Sequence, residues 1–167
     1  MNTRVTQKPI VDANRFRLAL GRHASGVAVI TGPGPVGLTA TSLTSVSLDP
    51  PLVSFCVDRA STTWPDLRQA PVFGVNVLAG DQAATASRFA VRGIDRFGSP
   101  TRWRTGPYGV PILGGITVHL LCEPYDTIAL GDHWLVVGIV IGTELGTSGG
   151  PLLYHQGRYG GFDPHPD

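Results

Sequence analysis

"GPGPVGLTATSLTSVSLDPP", from Gly32 to Pro51, is the stretch on which the fold turns. Gly32, Gly34 and Gly37 spell G-x-G-x-x-G directly behind the apolar run "GVAVITG" (26–32), the spacing of a dinucleotide-binding loop. Such a loop needs a helix to open at its third glycine, so that the helix start faces a pyrophosphate. Here Leu38, Thr39, Ala40 and Thr41 follow, then more Thr, Ser and Val, side chains that suit a pleated sheet. Pro33 and Pro35 also remove two backbone N–H donors. The glycines therefore read as a hairpin turn, and the residues after them as a strand. That strand is unusual. Thr39, Thr41, Ser42, Thr44, Ser45 and Ser47 crowd together with no charge until Asp49, where a loop would show charges and a core strand more aliphatics.

Working outward, residues 1–11 read as a loose tail. Asp12 can cap a helix carrying Phe16, Ala19, Leu20 and His23 at i, i+3, i+4, i+7 spacing. "PPLVSFCVD" (50–58) and "VFGVNVLA" (72–79) read as buried strands. "STTWPDLRQA" (61–70) has the hydroxyls, Pro and Asp of a helix start, and "DQAATASRFA" (81–90) reads as a helix capped by Asp81. Residues 91–113 form a long Gly-, Pro- and Arg-bearing excursion. Three strand-like segments close the chain at 115–128, 133–145 and 151–160; in the first, Ile116, Val118, Leu120 and Cys122 share one face, opposite Thr117, His119 and Glu123. Six or seven strands with two or three short helices imply one mainly β domain, a barrel or sandwich, over 12–162. Residues 163–167 read as a C-terminal tail.

Composition narrows the function. The 167 residues are 42% apolar and only 15% charged, which suits a single packed core with an additional buried face such as an oligomer interface. A net charge of +1, with Lys8 the only lysine, gives no basic patch for nucleic acid. Cys56 and Cys122 are the only cysteines and read as buried thiols. With no signal-peptide pattern and no apolar run of about 20 residues, the expectation is a soluble cytoplasmic protein without membrane association.

Chemistry-bearing motifs are sparse. No serine sits in G-x-S-x-G, no metal-ligand spacing links His119, His133, His155 and Cys122, and no close carboxylate pair is present. Such a chain is a binding module or leaves its chemistry to a cofactor. Ser61, Thr62 and Thr63 precede a helix and either cap it or meet an anion, to which Arg59 and Arg88 could add charge. His133 in "GDHW" (131–134) opens an apolar strand. Tyr154, His155, Arg158 and Tyr159 are either core residues or a stacking edge, with alternation placing Tyr154 and Gln156 on one face.

In order, "FRLALGRHASGVAVIT", "GLTATSLTSVSLDPPLVSFCVD", "FGVNVLA", "SRFA", "GDHWLVVGIV" and "PLLYHQGRYG" resemble the short-chain flavin reductases, the reductase partners of two-component flavin-dependent monooxygenases. The resemblance spans about residues 12–162. It implies a flavin-binding split β-barrel, a homodimer, FAD or FMN as flavin, and NADH or NADPH as hydride donor. It also implies that reduced flavin is supplied to a partner monooxygenase. By that resemblance, Leu38, Thr39, Ala40, Thr41, Ser42, Ser45, Val46 and Ser47 lie along the flavin ring. Cys56, Val57, Asp58, Ser61, Thr62 and Thr63 follow the ribityl chain to the phosphate. Ser87, Arg88, Phe89 and Ala90 reach the phosphate or adenylate side, and His133 serves as the catalytic, nicotinamide-side residue with Tyr154, Gly157 and Tyr159. Two positions depart from the family habit: Thr41 stands where Asn is common, and Gln156 where Arg is. The alternatives are a flavin carrier without reductase activity, or a flavoenzyme that keeps its flavin and reduces another small molecule. Hydride transfer asks a protein for positioning rather than a proton-transfer triad, which suits this motif-poor chain.

Overall fold

The computed structural model describes residues 11–147 and 149–166, so most of the expected N-terminal tail lies outside the described residues. In chain order the elements are α1 (Ala13–Leu20), β1 (Ser25–Gly26), β2 (Ala28–Gly32), β3 (Val36–Ala40), β4 (Thr44–Leu48), β5 (Pro51–Asp58), α2 (Trp64–Gln69), β6 (Phe73–Val77), α3 (Ala83–Ala90), β7 (Trp103–Thr105), β8 (Pro111–Leu113), β9 (Val118–Leu130), β10 (His133–Leu145), β11 (Leu153–His155) and β12 (Arg158–Gly160). Seven strands form an antiparallel sheet in the order β3-β2-β6-β9-β10-β5-β4. The sheet coils until β3 comes beside β5 without a ladder between them, which makes the mainly β fold a split barrel.

Every residue of β2 is buried, so its run "AVITG" sits at the centre of the molecule. One core cluster packs Ile30, Phe55, Trp64, Phe73 and Val75 inside the barrel; a second packs Val27, Leu78, Phe89, Ile112 and Leu152 beneath α3 and the C-terminal hairpin. Between them lies a satisfied polar knot. The Asn76 side-chain amide donates to Val29 O (3.2 Å) and Thr31 Oγ1 (3.0 Å), and its Oδ1 accepts from the Leu113 amide (2.9 Å). Thr31 Oγ1 in turn donates to Pro111 O at 2.7 Å. The knot ties β8, inside the 91–113 excursion, to β2 and β6, and leaving any member unpaired would cost about 1–3 kcal/mol.

Five expectations are corrected. The hydroxyl-rich stretch after Gly37 is two strands rather than one, and they occupy opposite edges of the sheet. The chain crosses from one edge to the other at Thr41–Ser42–Leu43, because a closed barrel brings its first and last strands together. Asp81 does not cap α3; Gln82 holds that position, its Oε1 accepting from the Ala79 amide and its amide donating to Gly114 O. Residues 151–160 are a hairpin, β11 and β12, turning at Gln156 (φ 49°) and Gly157 (φ 77°), so alternation does not run through Gln156. His119, expected on a polar face, is only 3% exposed, because this end of β9 is covered on both sides. Asp12 does cap α1, accepting from the Arg15 amide at 3.0 Å, but the helix has no buried residue and Phe16 stays 58% exposed. No helix among the described residues is long and apolar enough to cross a membrane.

Candidate functional site

Where β3 meets β5 without hydrogen-bonding to it, a cavity of about 360 Å³ opens at the seam. One wall is Leu38 to Ser42, the facing wall is Cys56 to Asp58 and Ser61 to Thr63, and Phe89, Ala90, Arg92, Arg96 and His133 complete it. Fourteen of the residues expected at a site therefore come together here: Leu38, Thr39, Ala40, Thr41, Ser42, Cys56, Val57, Asp58, Ser61, Thr62, Thr63, Phe89, Ala90 and His133.

The walls are built by the same hydroxyls that drew attention in the sequence. Ser42 Oγ accepts from the Cys56 amide at 2.8 Å, tying the connection between β3 and β4 to β5 in register with the β4–β5 ladder. Thr39 Oγ1 donates to Ala86 O at 2.7 Å and pins α3 beneath β3. Gly37 permits that docking, since a Cβ there would sit 2.9 Å from Phe89 Cε1 and 3.1 Å from Ile30 O. Ser61 Oγ accepts from the amides of Thr63 and Trp64 at 3.3 Å each and so shapes the turn that leads into α2, whose N-cap is Thr63. Only Thr41 and Thr62 among the cavity's hydroxyls are left without a partner among the described residues. The ledge is thus less a row of free alcohols than a peptide edge. Gly37 O points away from β2, toward Arg96; by the alternation of an antiparallel edge, the amide and carbonyl of Thr39 face the same way.

Arg92 and Arg96 are the lining residues that sequence reasoning missed, and Arg96 is the one bonded into the walls. Its guanidinium donates to Gly37 O (2.6 Å) and Thr63 Oγ1 (2.7 Å) through one terminal nitrogen, and to Val91 O through Nε (3.0 Å) and the other nitrogen (2.7 Å). It joins both walls to the end of α3, yet among the described residues no carboxylate pairs with it. Burial lowers its pKa, the mark of a cation partly stripped of water. Nothing in the excursion's composition distinguished Arg96 from its neighbours. The two arginines named for charge are used elsewhere: Arg88 donates to the carbonyls of Asp95 (2.6 Å), Ser99 (3.2 Å) and Arg96 (3.4 Å), and Arg59 donates to Gly131 O (3.3 Å) while stacking on Trp134.

His133 opens β10 opposite Asp58 of β5. Its Nδ1 lies 2.7 Å from Asp132 Oδ1, and that bond holds the Asp132 carboxyl below its usual range. With Nδ1 engaged, Nε2 is the ring atom left to meet a ligand. Cys56 stands half-buried in the wall, whereas Cys122 is fully buried and its thiol is pushed up to about 12.

The other expected residues lie elsewhere in the chain. Ser45, Val46 and Ser47 belong to β4 at the far edge, and Ser87 faces outward from α3. Tyr154 and Tyr159 face each other across the C-terminal hairpin, ring centres 5.2 Å apart, packed on the second core cluster. Gly157 forms the turn of that hairpin. Tyr159 borders a separate cavity of about 700 Å³ together with His155 and Arg158.

The model of the flavin reductase-like domain matches residues 20–163. The chain belongs to this family. It is 38% identical over 157 residues to the reductase subunit HsaB of a flavin-dependent monooxygenase from Rhodococcus jostii, covering 92% of this chain and 80% of that one. It is 39% identical over 161 residues to an NADH:FMN oxidoreductase of Rhodococcus qingshengii, covering 92% and 83%. Among solved structures, the NADH:FAD oxidoreductase SgcE6 of Streptomyces globisporus, in complex with NAD and FAD fragments, superposes with a TM-score of 0.87 at 34% identity, over 96% of this chain and 100% of that one. The seam cavity fits the group this family handles. Its β3 edge offers peptide donors to a polar ring edge, its two unengaged hydroxyls are neutral, and Arg96 brings a positive charge with which no carboxylate pairs among the described residues.

Proposed function

We propose that this protein is an NAD(P)H:flavin oxidoreductase that supplies reduced FAD or FMN to a partner monooxygenase. The observation that carries the reading is the seam cavity itself: an uncharged peptide edge on β3, an unbalanced Arg96 bonded to both walls, and His133 with Nε2 unengaged. When bound, flavin supplies the acceptor for a hydride from the nicotinamide. The chain's part is positioning. The outer-edge amide of Thr39 with the hydroxyls of Thr41 and Thr62 offers hydrogen bonds, and fixed donors of this kind also stabilise negative charge as it develops. Arg96 provides the phosphate's counter-charge. His133, held by Asp132 and by the turn that Arg59 braces, orients the nicotinamide.

Within the protomer the site is open, with Thr41, Asp58, Thr62, Ala90 and Arg92 all exposed, which favours exchange of flavin over its permanent retention. The working unit in this reading is a cytoplasmic homodimer. Its support is the exposed large apolar side chains of α1 (Phe16, Leu18, Leu20) and β4 (Val46, Leu48), which a second copy would cover. In such an assembly the partner protomer is the natural neighbour for β4 and for the C-terminal hairpin with Tyr154, Gly157 and Tyr159.

The test is absorbance at the nicotinamide band with NADH or NADPH and added FAD or FMN. Saturation in added flavin is expected. Tight flavin retention without turnover would instead make the protein a carrier, and turnover indifferent to added flavin would make it a fixed-flavin enzyme. His133→Ala should lower kcat/KM by about 10²-fold or more, the scale of a lost positioning contact, while flavin affinity stays within about twofold. Collapse of flavin binding in that variant would remove His133 from the nicotinamide side.

A further inference from the structure

We propose that the groove continues past Arg96 into a second cavity built for the adenylate half of a dinucleotide, so that this chain binds FAD in preference to FMN. The inference rests on the flavin reading above and specifies which flavin that site takes. A cavity of about 260 Å³ lies on the far side of the Arg96 guanidinium and shares Thr62, Thr63 and Arg96 with the first. The volume approaches the lower bound of about 300 Å³ for small-molecule pockets, room that a mononucleotide ending at Arg96 would leave unused.

The charge pattern identifies the occupant. At the boundary between the cavities stands Arg96, whose acceptors Gly37 O, Thr63 Oγ1 and Val91 O are all neutral. A partly buried cation satisfied only by neutral oxygens retains its full charge for a ligand, and a diphosphate crossing from one cavity to the other passes directly over it. Beyond Arg96 the sign reverses, for Asp66 and Asp95 line the second cavity. Two carboxylates exclude a further phosphate and favour a neutral base with an exocyclic amine donor. Ile94 and Phe97 add apolar surface beside them. Diphosphate, then an amine-bearing base, is the order of groups in an ADP half. FAD and the nicotinamide dinucleotide both carry one. The wall shared with the flavin groove sets the second cavity beside the flavin, and assigns it to FAD.

Flavin-fluorescence titration of the wild-type protein with riboflavin, FMN and FAD tests this directly, with the KM for NADH measured alongside. The expected order is FAD tightest, by about tenfold over FMN, the equivalent of about 1.4 kcal/mol. Ile94→Trp, which fills the second cavity, should bring FAD to within about twofold of FMN and leave FMN unchanged. Asp66→Asn should narrow the FAD-to-FMN ratio in the same direction. Arg96→Gln should weaken FMN and FAD by about tenfold or more relative to riboflavin, a ratio that a purely structural strut would not alter. Equal wild-type affinities for FAD and FMN would overturn the inference. So would an Ile94→Trp protein that loses FMN and FAD alike, or one that changes only the KM for NADH, which would give the cavity to the nicotinamide dinucleotide. Failure to bind any of the three flavins would sink the reductase reading itself, and this inference with it.

Discussion

β3 and β4 come from one continuous run of sequence with one composition, yet the structure treats them oppositely. β3 packs Leu38 and Ala40 into the barrel core, seats Gly37 against Phe89, and turns its outer peptide edge to the cavity. β4 pairs only with β5, is exposed along nearly its whole length, and leaves Leu48 90% open to water. Three residues separate them, and Ser42 among those three is bonded to Cys56 of β5. Small hydroxylic side chains therefore mark places where backbone must come close to something. In β3 that something is α3 and the cavity; in β4 it would be the second copy of the proposed homodimer.

The strongest way to break this contrast is at Gly37. Gly37→Ala forces a methyl group against Phe89 and the Ile30 carbonyl and should cost about 1–3 kcal/mol in denaturant unfolding, with flavin affinity reduced as the cavity wall shifts. An unchanged midpoint would mean that α3 is not wedged against β3 as described. The centre of the sheet offers a sharper test, because neither β3 nor β4 contains a titratable side chain. His119, between them on β9, is buried with Nε2 unpartnered among the described residues, and burial lowers its pKa against the opposing pull of Glu144. The unfolded chain therefore takes up its proton first. Stability attributable to the neutral ring is present above about pH 6.5 and is lost as pH falls toward the lower folded value. Unfolding midpoints measured from pH 8 to pH 5 should show that loss, and His119→Gln should flatten it; identical slopes in the two proteins would contradict the assignment. The smallest effect belongs to β4. Leu48→Ser should change protomer stability by no more than about 0.5 kcal/mol, yet shift the association equilibrium seen by sedimentation toward monomer. If the variant stays as associated as the wild type, β4 is not the covered edge.

Much of this was legible in the chain. The β-rich core, the rejection of a dinucleotide-binding helix after Gly37, the Asp12 cap and the bounds of β10 all follow from local chemistry: proline without donors, alternation, a carboxylate beside free amides. Fourteen of the residues grouped by the family resemblance, which was carried by motifs rather than by spacing, also line one cavity. What was not legible shares one cause. Arg96 looks like any other arginine of a glycine-rich excursion until the fold brings Gly37, Thr63 and Val91 around it. Arg88, set in a more conspicuous motif, is consumed by carbonyls of the loop that follows it.

Sequence alone determined which segments would be extended and which helical, since hydrophobic period and turn residues act over a few positions. Only the closed sheet decided that Gly37 and Leu48 stand at opposite edges, that His119 is buried on a face expected to be polar, and that a single cation meets both walls of the cavity. Those outcomes depend on contacts between residues dozens of positions apart, and no local propensity encodes which distant carbonyl an arginine will find.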